Sequence, residues 1–216
     1  MKLYGFWRSS AAYRVRIALA IKGLTYDAVS VQLSKGEHNK PEYGEINPQH
    51  LVPVLEDEGE RLYQSLAIIQ YLEDAYPEPP LIPDDPVEAC RVRSLALIIA
   101  CEIHPLNNPR VLNYLTNTLA VTDDQRREWY HHWIKIGFTA LEKRLVDERW
   151  TGRFCHGDAP TLADVALVPQ VANARRFKVD LAAFPNIVRI DAECAKLAAF
   201  QQAAPENQPD AEKARD

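Results

Sequence analysis

Two serines stand where a helix is expected to begin. Ser9 and Ser10 lie in Trp7-Arg8-Ser9-Ser10-Ala11-Ala12-Tyr13, between the strand formers of Lys2–Phe6 and the helical spacing of Tyr13–Lys22. The first turn of a helix has backbone N–H groups without intrahelical partners and carries the positive end of the dipole. A hydroxyl there can donate to an anion such as a thiolate, or it can simply cap the helix. The junction holds no cysteine, so any thiol that reacts there must arrive with a ligand. Gln64-Ser65 repeats the theme before Ile68, Ile69 and Leu72: backbone amides and the Ser65 hydroxyl form a site for a carboxylate, or Ser65 is an N-cap. Between these two points lies Leu51-Val52-Pro53-Val54. Val52 before proline is extended, and a cis Val52-Pro53 bond would turn its backbone toward a ligand.

The elements that must hold these residues fall into two groups. Five of the ten residues from Pro77 to Pro86 are proline, which cannot form a helix interior. This reads as a linker, 77–86, between an amino-terminal domain, 1–80, and a second domain, 87–216. The first domain alternates strand and helix: Lys2–Phe6, Tyr13–Lys22 stopped by Gly23, Tyr26–Val31, an irregular stretch over 34–50, a hairpin turning at Glu58-Gly59, and a helix from Ser65 to about Ala75. That order predicts a mixed sheet with helices packed on it. Beyond the linker the signals are helical. Asp85-Pro86-Val87-Glu88 opens a helix running toward Ile103, which Pro105 and Pro109 break or kink. Thr122-Asp123-Asp124-Gln125 and Thr161-Leu162-Ala163-Asp164 are capping boxes. The first opens a helix with Trp129, Trp133, Phe138, Leu141 and Leu145 on its buried side; a last helix covers Ile187–Phe200, and a polar tail from Pro205 to Asp216 frays.

Composition removes several classes of function. With 47% hydrophobic and 25% charged residues, the 216-residue chain has the make-up of a folded globular protein, not of a coiled coil, collagen or a disordered chain. The net charge is −5, and acidic residues outnumber basic ones on both sides of residue 80, so neither half is a basic module and no nucleic-acid partner is expected. No apolar run reaches the roughly 18 residues a membrane-spanning helix needs. Cys90, Cys101, Cys155 and Cys194 make no C-x-x-C or zinc-finger spacing, so no metal is expected and the thiols read as buried and structural. With no signal-peptide pattern at Met1-Lys2-Leu3-Tyr4, the expected location is a reducing cytoplasm.

Taken together, the motifs resemble the glutathione-transferase superfamily over nearly the whole chain. Arg8-Ser9-Ser10-Ala11-Ala12-Tyr13-Arg14-Val15-Arg16-Ile17-Ala18-Leu19 is similar to the S-S-C-x-W-R-V-R-I-A-L signature of its zeta class, which includes the maleylacetoacetate and maleylpyruvate isomerases. Asn47-Pro48-Gln49-His50-Leu51-Val52-Pro53, Gln64-Ser65-Leu66-Ala67-Ile68-Ile69 and Glu102-Ile103-His104-Pro105-Leu106-Asn107-Asn108-Pro109-Arg110-Val111-Leu112 also look zeta-like. Ala11 and Tyr13 replace the signature's cysteine and tryptophan; the serine chemistry is untouched, while a thiol near the cofactor is missing.

The resemblance implies a thioredoxin-like domain with a four-stranded mixed sheet, followed by an all-helical domain. It implies glutathione as cofactor and reversible thiolate addition to a maleyl compound, whose double bond rotates once it is single, giving the fumaryl isomer in aromatic-compound or tyrosine breakdown. Ser9, with the amides of Ser10 and Ala11, would lower the thiol pKa. Arg8, Arg110 and Arg176 would bind the substrate carboxylates and meet the charge that develops, since a planar guanidinium binds carboxylates in bidentate fashion. His38, Gln49, Val52, Gln64 and Ser65 would contact glutathione; His104 and Asn108, facing a cleft between domains, would contact glutathione or organise the active-site water. A homodimer is implied as well, because a partner's acid often holds the glutathione amine in this family. The nearest alternative is a general glutathione transferase or peroxidase acting on haloacids or hydroperoxides. A non-catalytic binding protein of the same fold would be expected without a hydroxyl at the helix terminus, and Ser9 argues against it.

Overall fold

Four short strands form the sheet that carries the first site: β1 (Lys2–Gly5), β2 (Asp27–Ser30), β3 (Val54–Asp57) and β4 (Glu60–Tyr63), in the order β2-β1-β3-β4. This is a computed structural model, and it describes residues 1–211. β1 pairs in parallel with β2, Leu3 opposite Ala28, and antiparallel with β3, Leu3 opposite Leu55. The parallel pair needs a crossover, supplied by α1 (Ser10–Ile21). β3 and β4 form the expected hairpin. Glu58 and Gly59 both take positive φ, 50° and 86°, as a two-residue primed turn requires.

α1 is buried along most of its length, through Ala12, Val15, Ile17, Ala18 and Leu19. Each large aliphatic side chain buried this way contributes about 1.5–3 kcal/mol relative to exposure. The helix starts three residues earlier than its apolar spacing predicts, because Ser9 caps it. It ends in a Schellman turn at Gly23, whose φ is +66°: Gly23 N donates to Ala20 O (3.2 Å) and Leu24 N to Leu19 O (2.9 Å). The stretch 34–50, expected to be irregular, holds 3₁₀ turns at Leu33–Lys35 and Glu37–Asn39 and a short helix, α2 (Pro41–Gly44). α3 (Ser65–Ala75) closes this part of the chain and packs on α1.

By its contacts the chain forms two compact units, Leu81–Cys194 being the second; the described residues after Cys194 belong with Met1–Pro80 rather than with the helices that precede them. In the second unit Asp85 caps α4 (Pro86–Leu97) by accepting from Val87 N (2.9 Å) and Glu88 N (3.0 Å). A π-helical segment, Ile98–Ile103, and a 3₁₀ turn, Pro105–Asn107, follow. Pro109 does not merely kink a helix. It opens a new one, α5 (Pro109–Asn117), since a proline at the first helical position loses no hydrogen bond. Thr122 and Gln125 form the expected capping box of α6 (Asp123–Asp147). Its buried side runs through Tyr130, Ile134, Phe138, Leu141 and Leu145; Trp129 and Trp133 flank that side half-buried. Gly137 lets α6 approach the π segment, where a Cβ would fall 2.3 Å from Ile103. α7 (Leu162–Arg176) is buried almost all round, and α8 (Pro185–Cys194) packs on it.

The single last helix expected over 187–200 is two helices. α8 ends at Cys194, and α9 (Ala198–Ala203) packs on α1 in the first unit. The tail does not fray where it is described. A 3₁₀ turn at Pro205–Asn207 leads to Asp210, which accepts from Trp7 N (3.2 Å) and Ser30 Oγ (2.9 Å). The expected fraying of residues 212–216 lies outside the described residues. Among the described residues no helix is long and apolar enough to cross a membrane.

Candidate active site

The amino end of α1 is built as its sequence requires. Ser9 is extended, with φ −68° and ψ 118°, and its Oγ accepts from Ala12 N at 3.2 Å. The first main-chain bond of the helix runs from Tyr13 N to Ser9 O (2.8 Å), so the amides of Ser10 and Ala11 precede it. A hydroxyl that accepts one bond keeps its own proton to give, so capping and anion contact are compatible uses of Ser9. Ser10 is buried as the first helical residue. Arg8 is exposed on the same loop, its guanidinium 5.1 Å from the Trp7 ring and 5.7 Å from that of Phe6. Such cation–π contacts contribute about 0.5–1 kcal/mol at exposed sites and hold the side chain near the loop.

The amino end of α3 makes the second cradle. Gln64, not Ser65, is the N-cap; its φ of 66° makes the turn, and Ser65 is already helical. The first intrahelical bond runs from Ile68 N to Gln64 O (2.9 Å), so the amides of Ser65, Leu66 and Ala67 precede it. Ser65 Oγ accepts from Arg14 Nη1 at 3.1 Å, and Arg14 is 2% exposed. A fixed cation behind a helix amino terminus suits a carboxylate. Gln64 Nε2 donates to Gln49 Oε1 (2.8 Å), joining two of the predicted residues. The Val52-Pro53 bond is cis, and the residue before it is anchored: Leu51 O accepts from Tyr43 Oη (2.7 Å) and Asn47 Nδ2 (2.8 Å). Half-buried His38 is tied in through its carbonyl, which accepts from His50 Nδ1 at 2.7 Å. These donors — a helix-capping hydroxyl, two helix amino ends and side-chain amides — have the chemistry to hold glutathione's thiol and carboxylates.

The second unit carries the remaining predicted residues. His104 follows the π segment, Asn108 Oδ1 caps α5 by accepting from Val111 N (3.1 Å), and Arg110 is exposed in the first turn of α5. Arg176 ends α7, exposed, donating to Asn173 Oδ1 (2.9 Å) with its guanidinium 4.9 Å from the Phe177 ring. Tyr130, which sequence reasoning missed, links these segments. Its ring stacks on Phe177 at 3.7 Å between centroids, and its carbonyl accepts from Asn107 Nδ2 (3.3 Å). Burial pushes the Tyr130 phenol up to about 12, while the nearby Arg176 pulls the other way. The phenol is therefore neutral at physiological pH. No periodicity marks it, because it reads as one more aromatic on the buried side of α6.

Two expectations about cysteine need correction. Cys155 and Cys194 are buried, and burial raises both thiols, but Cys90 and Cys101 are exposed, on the outer faces of α4 and the π segment. Among the described residues no cluster of His, Cys, Asp and Glu could hold a metal ion.

The family model of the glutathione S-transferase N-terminal domain matches residues 1–74, and that of the C-terminal domain matches residues 127–203. A probable maleylacetoacetate isomerase of Vibrio cholerae is 52% identical over 97% of each chain. The solved holo structure of a bacterial zeta-class maleylpyruvate isomerase is 48% identical, with a TM-score of 0.96 over 98% of this chain and 100% of that one. A maleylacetoacetate isomerase of Methylobacterium extorquens AM1, solved with malonate and glutathione bound, is 42% identical with a TM-score of 0.96, covering 99% and 100%.

Proposed function

The chain belongs to the glutathione S-transferase family, and within it we propose that it is a zeta-class, glutathione-dependent cis–trans isomerase converting maleylacetoacetate or maleylpyruvate into the fumaryl isomer. Bound glutathione supplies a thiolate that adds reversibly to the alkene, leaving a single bond free to rotate, and is itself regenerated.

The residues have distinct tasks in this reading. Ser9 Oγ donates to the sulfur, while the Ser10 and Ala11 amides and the α1 dipole favour its charged form; together they hold the thiol below its ordinary value near 8.5. Ser65, the α3 amino end and Arg14 take a cofactor carboxylate. Val52 offers main-chain groups beside it; Gln49, Gln64 and His38 hold its outer end, and His104 and Asn108 complete its contacts. Arg8, Arg110 and Arg176 take the two substrate carboxylates and the negative charge that develops on the substrate during addition, the role for which preorganised donors are strongest. Most of the glutathione contacts fall in residues 1–80, while two of the three substrate arginines, Arg110 and Arg176, fall in the second unit, Leu81–Cys194. The working form is a homodimer in the cytoplasm, taking a small dicarboxylate.

The observation that carries this reading is Ser9 at the amino end of α1, in a chain that matches the isomerases from end to end. Purified protein mixed with maleylpyruvate or maleylacetoacetate tests it. Loss of substrate absorbance only with glutathione, at rates far above conjugation of chlorodinitrobenzene, is expected. No uptake of glutathione by calorimetry, or conjugation alone, would overturn it.

A further inference from the structure

The loop that presents Ser9 is fastened at its first residue by the end of the chain. Trp7 N donates to Asp210 Oδ2 at 3.2 Å, and Trp7 O accepts from Arg16 Nη2 at 3.0 Å. The same Asp210 oxygen accepts from Ser30 Oγ at 2.9 Å, so one carboxylate bridges the end of β2 and the start of the loop. Arg16 Nε donates to Ala203 O at 3.0 Å, which ties the loop to α9 as well. Two residues on, Ser9 N donates to Phe6 O at 2.9 Å and closes the turn. The tail is itself braced: Gln208 Nε2 donates to Ala204 O (2.9 Å) and Gln202 O (3.0 Å), and Asn207 Nδ2 to Gln201 O (2.7 Å).

We propose that Asp210 is a positioning residue for the isomerisation, holding Trp7 so that Ser9 and Arg8 keep the places from which they act. This rests on the function proposed above. Both polar main-chain groups of Trp7 are held by side chains, one from the tail and one from α1, where ladder pairing along β1 has ended at Gly5. Without Asp210 the Trp7 N–H must turn to water, and the Phe6–Trp7 peptide plane, two residues before the Ser9 hydroxyl, is left with one anchor, the bond from Ser9 N to Phe6 O. Arg8 is affected in the same way, since its guanidinium rests on the Trp7 and Phe6 rings. A catalytic group displaced by about 1 Å loses on the order of a hundredfold in rate, so a peripheral contact of this kind reaches the chemistry.

Four proteins test it: wild type, Asp210→Ala, Asp210→Asn and Ser30→Ala. The readouts are kcat and KM with maleylpyruvate, the pKa of bound glutathione from thiolate absorbance, and the thermal midpoint. Asp210→Ala is expected to lower kcat/KM by about tenfold to a hundredfold and to raise the bound thiol's pKa, with circular dichroism unchanged. Asp210→Asn keeps an acceptor oxygen for Trp7 N and is expected to recover most of the rate. Ser30→Ala removes only the bond to β2 and is expected to stay within about threefold of wild type. Asp210→Ala matching wild type in kinetics and thiol pKa, or Ser30→Ala losing as much as Asp210→Ala, would overturn the inference. Wild type that neither binds glutathione nor isomerises would instead overturn the functional reading beneath it.

Discussion

Arg14 and Ser65 lie 51 residues apart in sequence and meet at 3.1 Å, the buried guanidinium donating to the hydroxyl oxygen. The direction of that bond matters. Ser65 Oγ accepts from Arg14, so its own proton is free to point outward, toward whatever anion sits at the amino end of α3. The cation and the helix end act in the same sense.

Replacing Arg14 with methionine is therefore expected to weaken glutathione binding by roughly tenfold to a hundredfold, the range for hydrogen bonds to charged groups. Ser65→Ala costs less, on the order of fivefold. The double variant should bind no worse than Arg14→Met alone, because the two residues act as one unit. Calorimetric titration of each variant checks this. Arg14→Met that binds glutathione as wild type does would leave the pair with a packing role only.

Ser9 caps α1 and, in the proposed mechanism, also donates to sulfur, and the two roles can be measured separately. As the cap of α1, its loss to alanine costs about 1 kcal/mol, which for a chain of this size lowers the thermal midpoint by some 2–4 °C. As a donor to sulfur, its loss should cost on the order of a hundredfold or more in isomerisation. The sign with pH is definite. A donor to the thiolate lowers the thiol pKa, so Ser9→Ala raises it and moves the acidic limb of the rate profile upward. The deficit is then larger near pH 6.5 than near pH 8.5. Ser9→Thr retains the hydroxyl and should recover both properties in part.

Arg176 stands exposed at the end of α7, braced by Asn173 and resting on Phe177. That bracing fixes the orientation of the planar guanidinium, which in the proposed mechanism receives a substrate carboxylate. Arg176→Ala is expected to raise KM for the maleyl substrate by well over tenfold while leaving the glutathione Kd unchanged. Arg176→Lys keeps the charge without the planar fork and should fall between them. Steady-state kinetics beside glutathione titration decide it; unchanged kinetics would remove Arg176 from the site.

What could be read from the sequence is what is local. Ser9, the Gly23 stop, the Glu58-Gly59 turn and the Asp85 and Thr122 caps each announce themselves within four residues, and each is in place. What escaped depends on partners far along the chain. Nothing local to Arg14 and Arg16 names their partners, yet both are buried, one answering Ser65 and the other Ala203. Asp210 sits in a polar tail that composition marks as loose, and only its meeting with Trp7 gives it a place. The division of 187–200 into α8 and α9 was hidden for the same reason. The apolar spacing runs on through the break, while the two pieces pack in different units.

Asp164 shows what a capping box costs when it is fully buried. The carboxylate is 0% exposed, with Oδ2 accepting from Thr161 N (2.8 Å) and Thr161 Oγ (3.0 Å), and Oδ1 from Cys155 N (2.8 Å). Burial raises its pKa above the ordinary carboxylate value, and these hydrogen bonds only partly oppose it. Asp164→Ala strands three buried donors, each costing about 1–3 kcal/mol, so the thermal midpoint should fall by roughly 8 °C or more. The pH dependence follows from the direction of the shift. Between the unfolded and folded pKa values the native state holds a proton that the unfolded chain has lost, so wild-type stability falls as pH rises through that window. Asp164→Ala lacks this titration, and its deficit relative to wild type should therefore be larger near pH 4 than near pH 7. Denaturant unfolding at the two pH values measures it; a deficit that grows with pH would mean that the hydrogen bonds outweigh burial and that Asp164 is ionised more easily in the fold than out of it.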